Sequence, residues 1–390
     1  MKLIIFILNI PIYWLSVLLP KKKNLWVFGA WFGKKYADNS KYLFEYINVN
    51  IKEVNAVWIT DDEKVFTKLK ESGYEVVYKS TIKGYWLSMR ASFWFVSTGN
   101  HDINQFLKPR KLVNLWHGSP IKKIMNDDKF TIKIDSRLKK IIKKYIFPFI
   151  SFDFKNSLLT VSSKDEQKNL SSAFKMDIKD VVITGLARND AFYLKKENNF
   201  LKKYSDKNKI IYMPTHRNHG EFDIIKEMKS QLFVLDSYLS KINSVIFISI
   251  HFYHQDELKK YKSLANVIIL DDSITEQDIY TILPHMDLLI TDYSSVYMDF
   301  LLTEKPILFL PFDYEEYLGK DRELYYDYDD VTPGPKCKTW DEAIKLSEQL
   351  LKNPSLYSKE RDNIKNRFQQ YQDGNNCKRI YSFIMEQECI

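Results

Sequence analysis

The chain has 390 residues, enough for two domains of ordinary size. Hydrophobic residues make up 45% of it and charged residues 28%, so a packed core is feasible and intrinsic disorder is excluded as the general class. Lysine and arginine number 58 against 50 acidic residues, and the formal charge of +8 favours anionic partners such as nucleotides, polyphosphates or membrane surfaces. The sequence contains none of the usual nucleic-acid-binding modules, so no nucleic acid is expected as a partner.

The chain begins with an apolar segment that runs from Leu3 to Leu19, and Lys21, Lys22 and Lys23 follow it at once. A helix of this length falls just short of the roughly 30 Å hydrocarbon core of a bilayer. No small-residue cleavage site precedes the lysines, so a removed signal peptide is not expected. For this membrane-contact segment, residues 1–23, three structures remain open: a marginal transmembrane anchor, an interfacial helix or a buried first element.

Short apolar runs then recur along the chain and alternate with stretches of helical spacing, such as 41–47 and 63–72. The runs are continuous in character, which is typical of parallel strands covered by helices on both faces. Seven strands are predicted before the polar, lysine-rich stretch 195–208, at 25–28, 56–59, 75–78, 93–97, 112–116, 158–161 and 181–184. Five more are predicted after it, at 209–213, 245–250, 267–270, 288–291 and 307–310.

This alternation predicts an α/β fold of the GT-B type, in which two Rossmann-like domains face a central cleft. We place the N-terminal domain at residues 24–200 and the C-terminal domain at residues 205–390. An insert near residues 131–150 carries apolar residues at helical spacing on one face and basic residues on the rest. It is interpreted as a membrane-surface helix, with a helix packed on the sheet as the alternative.

Four motifs follow predicted strands, at the sheet edge where ligands of open α/β folds bind. The first, at residues 116–123, reads WHGSPIKK. His117 at a strand end suits a general base, because its ordinary titration range lies near neutral pH. Ser119, Lys122 and Lys123 are predicted to contact the acceptor or an anionic substrate. The alternative is a structural histidine that caps a turn.

The second motif, YMPTHR at residues 212–217, places Thr215 and Arg217 after the first strand of the C-terminal domain. The planar guanidinium of Arg217 suits bidentate recognition of a diphosphate, although a surface salt bridge is the plainer alternative. The third motif is His251, which closes the run 244–250, with His254 three residues further on. No carboxylate or third histidine completes a metal motif there, so a phosphate-facing or proton-transferring histidine is predicted, and no metal or other cofactor.

The fourth motif is TDYSSVYMDF at residues 291–300. Thr291 and Asp292 end a predicted strand, and a helix is predicted to begin after Ser295. The hydroxyls of Ser294 and Ser295, with free backbone N–H groups and the helix dipole, favour an anion at this position. Plain helix capping without a ligand is the alternative.

Taken together, these segments resemble the CDP-glycerol glycerophosphotransferase family of teichoic acid and capsule synthesis. The matching pieces are WHGSPIKK, TGLARND, MPTHR, TDYSSVYMDFLLTEKPILFLPFDYEEY and TPGP, in the family's order, and the early blocks VFGAWFG and YADNS also match. The resemblance covers nearly the whole chain after the N-terminal segment. It implies a bacterial enzyme at the cytoplasmic face of the cell membrane, with an acceptor-binding N-terminal domain and a nucleotide-donor C-terminal domain.

The implied reaction moves glycerol phosphate, or a related alditol phosphate, from CDP-glycerol or another CDP-alditol to a hydroxyl of a polyprenyl-linked or polymeric acceptor, and releases CMP. The resemblance implies that His117 is the catalytic base, that His251 assists at the diphosphate, and that Arg217 and the serines surround the donor. Family members often carry proline where Phe252 stands, so the choice between His251 and His254 stays open. Two rivals remain: a GT-B glycosyltransferase that uses a nucleotide sugar, and a catalytically idle membrane protein that binds anionic polymer.

Overall fold

The computed structural model describes residues 2–129, 149, 154, 157–194, 196–215, 223–250, 264–271, 274, 278–320 and 323–388. The chain divides into two compact units, each described here by itself. The first unit comprises Met1–His117, Thr131–Asp190 and Asp373–Ile390, and the second comprises Gly118–Phe130 and Ala191–Gln372. Two segments, Gly118–Phe130 and Asp373–Ile390, therefore join a unit that their position in the sequence does not suggest.

The first unit is built on a seven-stranded parallel sheet with the strand order β3-β2-β1-β4-β5-β6-β7. Its strands are β1 Lys22–Phe28, β2 Asn55–Thr60, β3 Val76–Tyr78, β4 Ala91–Val96, β5 Lys111–Asn114, β6 Ser157–Val161 and β7 Val181–Ile183. Its first helices are α1 Lys2–Leu18, α2 Asp38–Asn50, α3 Glu63–Glu71, α4 Ile82–Arg90 and α5 Lys164–Phe174. All six residues of β4 are buried, as a continuous apolar strand covered on both faces requires.

The described part of the second unit holds a five-stranded parallel sheet with the order β10-β9-β8-β11-β12. Its strands are β8 Asn208–Met213, β9 Ser244–Ile248, β10 Val267–Ile269, β11 Leu288–Thr291 and β12 Ile307–Phe309. Its helices are α6 Ile224–Lys241, α7 Val296–Phe300, α8 Tyr314–Lys320, α9 Tyr328–Val331, α10 Trp340–Lys352 and α11 Ser358–Phe368. Residues of α6 and α10 share one apolar core with the strands.

All twelve predicted strands are confirmed, and each unit has a Rossmann-like sheet. In both sheets the first strand lies in the interior, the next two lie on one side of it, and the later strands lie on the other. The direction of winding thus reverses between β1 and β4 and again between β8 and β11. These reversals are the positions at which open α/β sheets form ligand crevices at the carboxyl ends of their strands.

The last helix, α12 Asn376–Glu388, belongs to the first unit, although it follows the whole of the second unit in the sequence. The buried carboxylate of Asp190 accepts hydrogen bonds from the backbone N–H groups of Asn376 and Cys377, each at 2.9 Å. Asp190 thereby satisfies two of the free N–H groups at the start of α12. This pairing holds the start of the final segment on the first unit, as does the hydrogen bond from Arg379 Nε to the carbonyl oxygen of Thr184 at 3.1 Å.

Helix α1 packs one side on the first unit and exposes the other. Phe6 and Tyr13 lie 5.8 and 6.1 Å from the ring of Phe149, and the buried hydroxyl of Ser16 accepts the N–H of Lys108 at 2.9 Å. The exposed side is apolar and comprises Ile5, Ile7, Leu8, Trp14, Leu15, Val17 and Leu18. Within the described chain, no helix has both the length and the apolar character needed to cross a membrane.

The three lysines that follow α1 belong to the folded first unit. Lys22 and Lys23 begin β1, and the ammonium group of Lys21 donates to the carbonyl oxygen of Met89 at 2.6 Å. Burial lowers the pKa of Lys21, and the charge of Arg90 lowers it further. The predicted amphipathic insert near 131–150 lies outside the described residues, except for Phe149.

Candidate active site

His117 lies three residues beyond β5, in the segment that leaves the carboxyl edge of the first sheet, and the residue as a whole is partly exposed. Its Nδ1 is 3.0 Å from the carbonyl oxygen of Ser97, which follows β4. Because a carbonyl oxygen only accepts hydrogen bonds, Nδ1 carries the proton of the neutral ring, and Nε2 keeps its lone pair. This is the tautomer that a general base needs.

Burial is the main effect on the titration of His117 and lowers its pKa below the ordinary histidine value. The carboxylate of Asp38 and the hydrogen bond to Ser97 act in the opposite direction, as does Asp102. Arg188 adds to the lowering. The ring is therefore neutral at neutral pH and able to accept a proton, while two nearby carboxylates favour the cation that acceptance would create.

The backbone around His117 is held in an uncommon conformation. Trp116 has φ of 53° and Gly118 has φ of 136°, both in the left-handed region that residues with a Cβ rarely adopt. The side-chain amide of Asn39 donates to the carbonyl oxygens of Leu115 and Trp116, at 3.0 and 2.9 Å. The amide of Asn39 thus stabilises the turn that presents the histidine.

A buried ion pair supports the same turn from the other side. Arg188 Nη1 donates to Asp38 Oδ1 at 2.8 Å and to the carbonyl oxygen of His117 at 2.9 Å. Both charged side chains are only 5% exposed, so neither charge is solvated by bulk water. The backbone N–H of Arg188 also donates to Asn39 Oδ1 at 2.9 Å. The YADNS and TGLARND blocks, which the sequence analysis left without roles, therefore meet at His117.

Asp102 is a further buried residue at this edge that the sequence analysis missed. Its carboxylate accepts the backbone N–H groups of Phe32, Ser97 and Thr98 at 2.7, 2.9 and 2.8 Å, and the hydroxyl of Thr98 as well. It thereby ties the segment after β1 to the segment after β4. Three of the four donors lie four or five residues before Asp102, in the segment that follows β4, and only the N–H of Phe32 comes from a distant part of the chain.

In the second unit, the strand-end residues of the TDYSS motif join the carboxyl ends of β8 and β11, where the direction of winding reverses. The hydroxyl of Thr291 donates to the carbonyl oxygen of Met213 at 2.7 Å, and Asp292 Oδ1 accepts the N–H groups of Thr215 and Tyr293 at 2.8 and 2.6 Å. Thr215, Thr291 and Asp292 are all buried. The structure thus brings these three predicted donor-site residues together.

Ser294 and Ser295 lie just beyond these residues, and both are partly exposed. Helix α7 begins at Val296, as the sequence predicted. The side chain of Ser295 makes no capping hydrogen bond to the helix, so the plain capping alternative is not observed for that residue. The two serines lie between the carboxyl end of β11 and the start of α7, and their role at the donor stays a prediction.

The predicted anion contacts Ser119, Lys122 and Lys123 all belong to the segment Gly118–Phe130 of the second unit. Ser119 is buried, and Lys123 Nζ is 3.1 Å from Glu323 Oε2. Lys122 Nζ is 6.0 Å from the ring centroid of Tyr317. The charge of Lys123 is thus paired with that of Glu323.

The remaining predicted site residues, Arg217, His251 and His254, lie outside the described residues.

A family model described as CDP-Glycerol:Poly(glycerophosphate) glycerophosphotransferase matches residues 12–386. The teichoic acid poly(glycerol phosphate) polymerase of Bacillus spizizenii is 27% identical over 343 residues, which cover 84% of each chain. The teichoic acid glycerol-phosphate transferase of Staphylococcus aureus is 26% identical over 380 residues, which cover 93% of each chain.

Among solved structures, the wall teichoic acid polymerase TagF superimposes with a TM-score of 0.77 at 23% identity, over 96% of this chain and 92% of that one. A TagF structure soaked with CDPG gives 0.74, at 23% identity over 94% and 90%. The S. aureus MnaA–UDP complex gives 0.55 at 14% identity, over 93% and 96%. These likenesses establish the GT-B-type fold. Since the family model spans almost the whole chain, the protein belongs to the CDP-glycerol:poly(glycerophosphate) glycerophosphotransferase family and is an enzyme of that class.

Proposed function

We propose that the protein transfers glycerol phosphate from CDP-glycerol to a hydroxyl of a membrane-bound teichoic acid or capsule precursor, with His117 as the general base. One observation carries this proposal above the others. The Nδ1–H of His117 is bound to the carbonyl oxygen of Ser97, so Nε2 is left as the proton acceptor of the neutral ring. The family membership supplies the reaction class, and relatives named for glycerol phosphate favour that alditol.

In the proposed step, His117 Nε2 takes the proton of the acceptor hydroxyl as its oxygen attacks the phosphorus that bears glycerol. A new P–O bond forms, the P–O bond to the cytidine monophosphate group breaks, and CMP leaves with the electron pair. The imidazolium then loses its proton to solvent. Asp38 and Asp102, which both raise the pKa of His117, stabilise this transient cation relative to the neutral ring.

The leaving CMP gains negative charge, and we assign its stabilisation to residues of the TDYSS and MPTHR motifs. Ser294 and Ser295 offer hydroxyl and backbone donors at the carboxyl end of β11. Thr215, Thr291 and Asp292 hold the neighbouring strand ends in place through the hydrogen bonds described above. Arg217 and His251 are assigned to the diphosphate from the sequence motif. Such a site works by positioning and electrostatic stabilisation, the usual mode of phosphoryl transfer.

We further propose that α1 rests on the cytoplasmic face of the cell membrane and brings the enzyme to its lipid-linked acceptor. The polar side chains Asn9 and Ser16 are buried against the first unit, while seven large apolar side chains of the same helix are exposed. This orientation is the reverse of a water-facing amphipathic helix and suits insertion into the headgroup region. The formal charge of +8 favours an anionic lipid surface.

The test is nucleotide release by the purified protein, with CDP-glycerol, CDP-ribitol and UDP-sugars each offered alongside a membrane extract as the acceptor source. We expect CMP from CDP-glycerol, incorporation of the glycerol phosphate into the lipid-linked fraction, and loss of both in His117→Ala. His285→Ala is a matched control, because His285 precedes β11 and therefore lies at the amino edge of the second unit's sheet, away from the predicted motifs. UDP release would instead assign the chain to the glycosyltransferases, and CMP release undiminished in His117→Ala would remove His117 from the mechanism.

A further inference from the structure

The carboxylate of Asp102 is connected to His117 through hydrogen bonds and one peptide group. Asp102 is fully buried, so it touches no substrate, and its carboxylate accepts four hydrogen bonds. Two of the donors are the N–H and hydroxyl groups of Thr98. The backbone N–H of Thr98 belongs to the same peptide group as the carbonyl of Ser97, and that carbonyl accepts the proton of His117 Nδ1.

The three groups therefore form a continuous hydrogen-bonded series. Asp102 Oδ2 is 2.8 Å from the Thr98 nitrogen, and the Ser97 oxygen at the other end of that peptide is 3.0 Å from His117 Nδ1. A negative charge at the N–H end polarises a peptide group and makes its carbonyl oxygen a stronger acceptor. The effect is larger in a buried environment, where the local dielectric is low. An imidazolium gains more from this acceptor than a neutral ring does.

We infer that Asp102 is a positioning residue, which fixes the proton of His117 on Nδ1 and strengthens His117 as a base by acting through the Ser97–Thr98 peptide. This inference rests on the proposed role of His117 in the reaction. It extends the logic of a carboxylate that orients a histidine, with one peptide group placed between the two side chains. The same carboxylate also holds the turn at Phe32, so a single residue orders both sides of the edge where His117 lies.

Other charged groups must be considered before any pH effect is assigned to Asp102. Asp38 from α2 and Arg188 from the segment after β7 also act on His117, in opposite directions. His101 and Lys79 lie near Asp102, and Lys79 Nζ donates to the carbonyl oxygen of Phe32 at 2.8 Å. All four groups are still present in the chain when Asp102 alone is replaced, and Asp102→Glu keeps the carboxylate while it perturbs the same turns. A change in the titration of His117 that appears in Asp102→Asn and not in Asp102→Glu therefore reports the Asp102 charge.

The experiment compares wild type, Asp102→Asn and Asp102→Glu as full-length proteins. The pKa of His117 is followed by NMR of ¹⁵N-labelled histidine, and kcat and KM for CDP-glycerol are measured across pH. In Asp102→Asn we expect the pKa of His117 and the acid limb of kcat/KM to move together to lower pH. We expect kcat to fall about ten- to hundredfold, the range found when the hydrogen-bond partner of a metal-binding histidine is removed, with KM unchanged. Asp102→Glu keeps the negative charge, so the acid limb of its kcat/KM pH profile should lie closer to the wild-type position.

Asp190→Asn is the matched control, since Asp190 also caps two backbone N–H groups in the same unit but makes no contact with Ser97 or Thr98. We expect Asp190→Asn to leave the acid limb of the kcat/KM pH profile unmoved. A folded Asp102→Asn protein with an unshifted His117 pKa overturns the inference, whatever its turnover. If Asp102→Asn does not fold, the ¹⁵N spectrum of the wild-type protein still tests the inference. A neutral His117 ring that carries its proton on Nε2 would refute it. Because the NMR readout needs no turnover, its failure is distinct from failure of the proposed function.

Discussion

Replacing Arg188 with methionine should cost the first unit a large part of its stability. Methionine keeps much of the side-chain volume and removes the guanidinium. Asp38 would then be left 5% exposed without its partner, and the His117 carbonyl oxygen would lose its donor. Removal of one member of a buried ion pair costs about 3–5 kcal/mol, because the remaining charge stays desolvated. A loss of this size is a large fraction of the stability of an ordinary domain.

Urea unfolding measures the effect, with the midpoint and the slope fitted together so that a change in slope is recognised. The matched control is Lys179→Met in the same unit, whose pair with Asp177 is highly exposed at 77% and 74%. An exposed pair of this kind contributes about 0–1 kcal/mol. The double variant Arg188→Met with Asp38→Asn should be less destabilised than the sum of the single variants, with a coupling of about 1–3 kcal/mol.

A cost below about 1 kcal/mol for Arg188→Met would contradict this reasoning, because it would place the Asp38 carboxylate in water. Strict additivity of the two single variants would contradict it too. Turnover should fall along with stability, since the same guanidinium holds the backbone of His117. That loss should appear at temperatures where the variant is still folded, which separates the local effect from global unfolding.

The pKa of His117 is lowered by burial, so kcat/KM should rise with pH through a value below the ordinary 6.5 and stay level above it. Because folding lowers the pKa of His117, the contribution of His117 to the free energy of unfolding is complete above pH 6.5 and is lost as pH falls below that value. Measurement of the unfolding free energy across acid pH checks this. Leu8→Ser with Leu15→Ser should weaken binding to anionic vesicles at least about tenfold and change the unfolding free energy by less than about 0.5 kcal/mol, since these side chains are 65% and 48% exposed. Unchanged vesicle binding in a sedimentation assay would reject the membrane role of α1. Gly29→Ala would bring a Cβ to 2.6 Å from the carbonyl oxygen of Asp102, so it should lower stability by about 1–3 kcal/mol; an unaltered Tm would show that this contact can relax.

The fold could be predicted because it depends on local patterns. Each strand contains a short apolar run, which in β4 fills the whole strand, and each run is separated from the next by a polar or helical stretch. The position of His117 followed from the same pattern, since it directly follows a predicted strand. Helix starts are also local: Asp62 and Thr81 cap the N–H groups of Val65 and Gly84 at 2.9 and 3.1 Å.

The support of the site could not be predicted, because it joins residues that are far apart in the sequence. Arg188 reaches Asp38 across 150 positions, and only the folded sheet brings them together. Segment Gly118–Phe130 likewise joins the second unit through backbone hydrogen bonds, from Lys123 to Glu323 and from Tyr325 to Ile121, each at 2.8 Å. No periodicity or motif within either segment encodes such a pairing. The sequence does show that Arg188 lies within the TGLARND block shortly after β7, but it does not show which residue Arg188 contacts.

In the proposed reaction, His117 Nε2 removes the proton of the acceptor hydroxyl. The most direct measurement is the single-turnover rate of CMP release by wild type and His117→Ala, with the affinity for CDP-glycerol measured separately by equilibrium binding. We predict that the rate falls at least about a hundredfold while the affinity for CDP-glycerol is unchanged. A folded His117→Ala protein that releases CMP at a near wild-type rate would contradict the account.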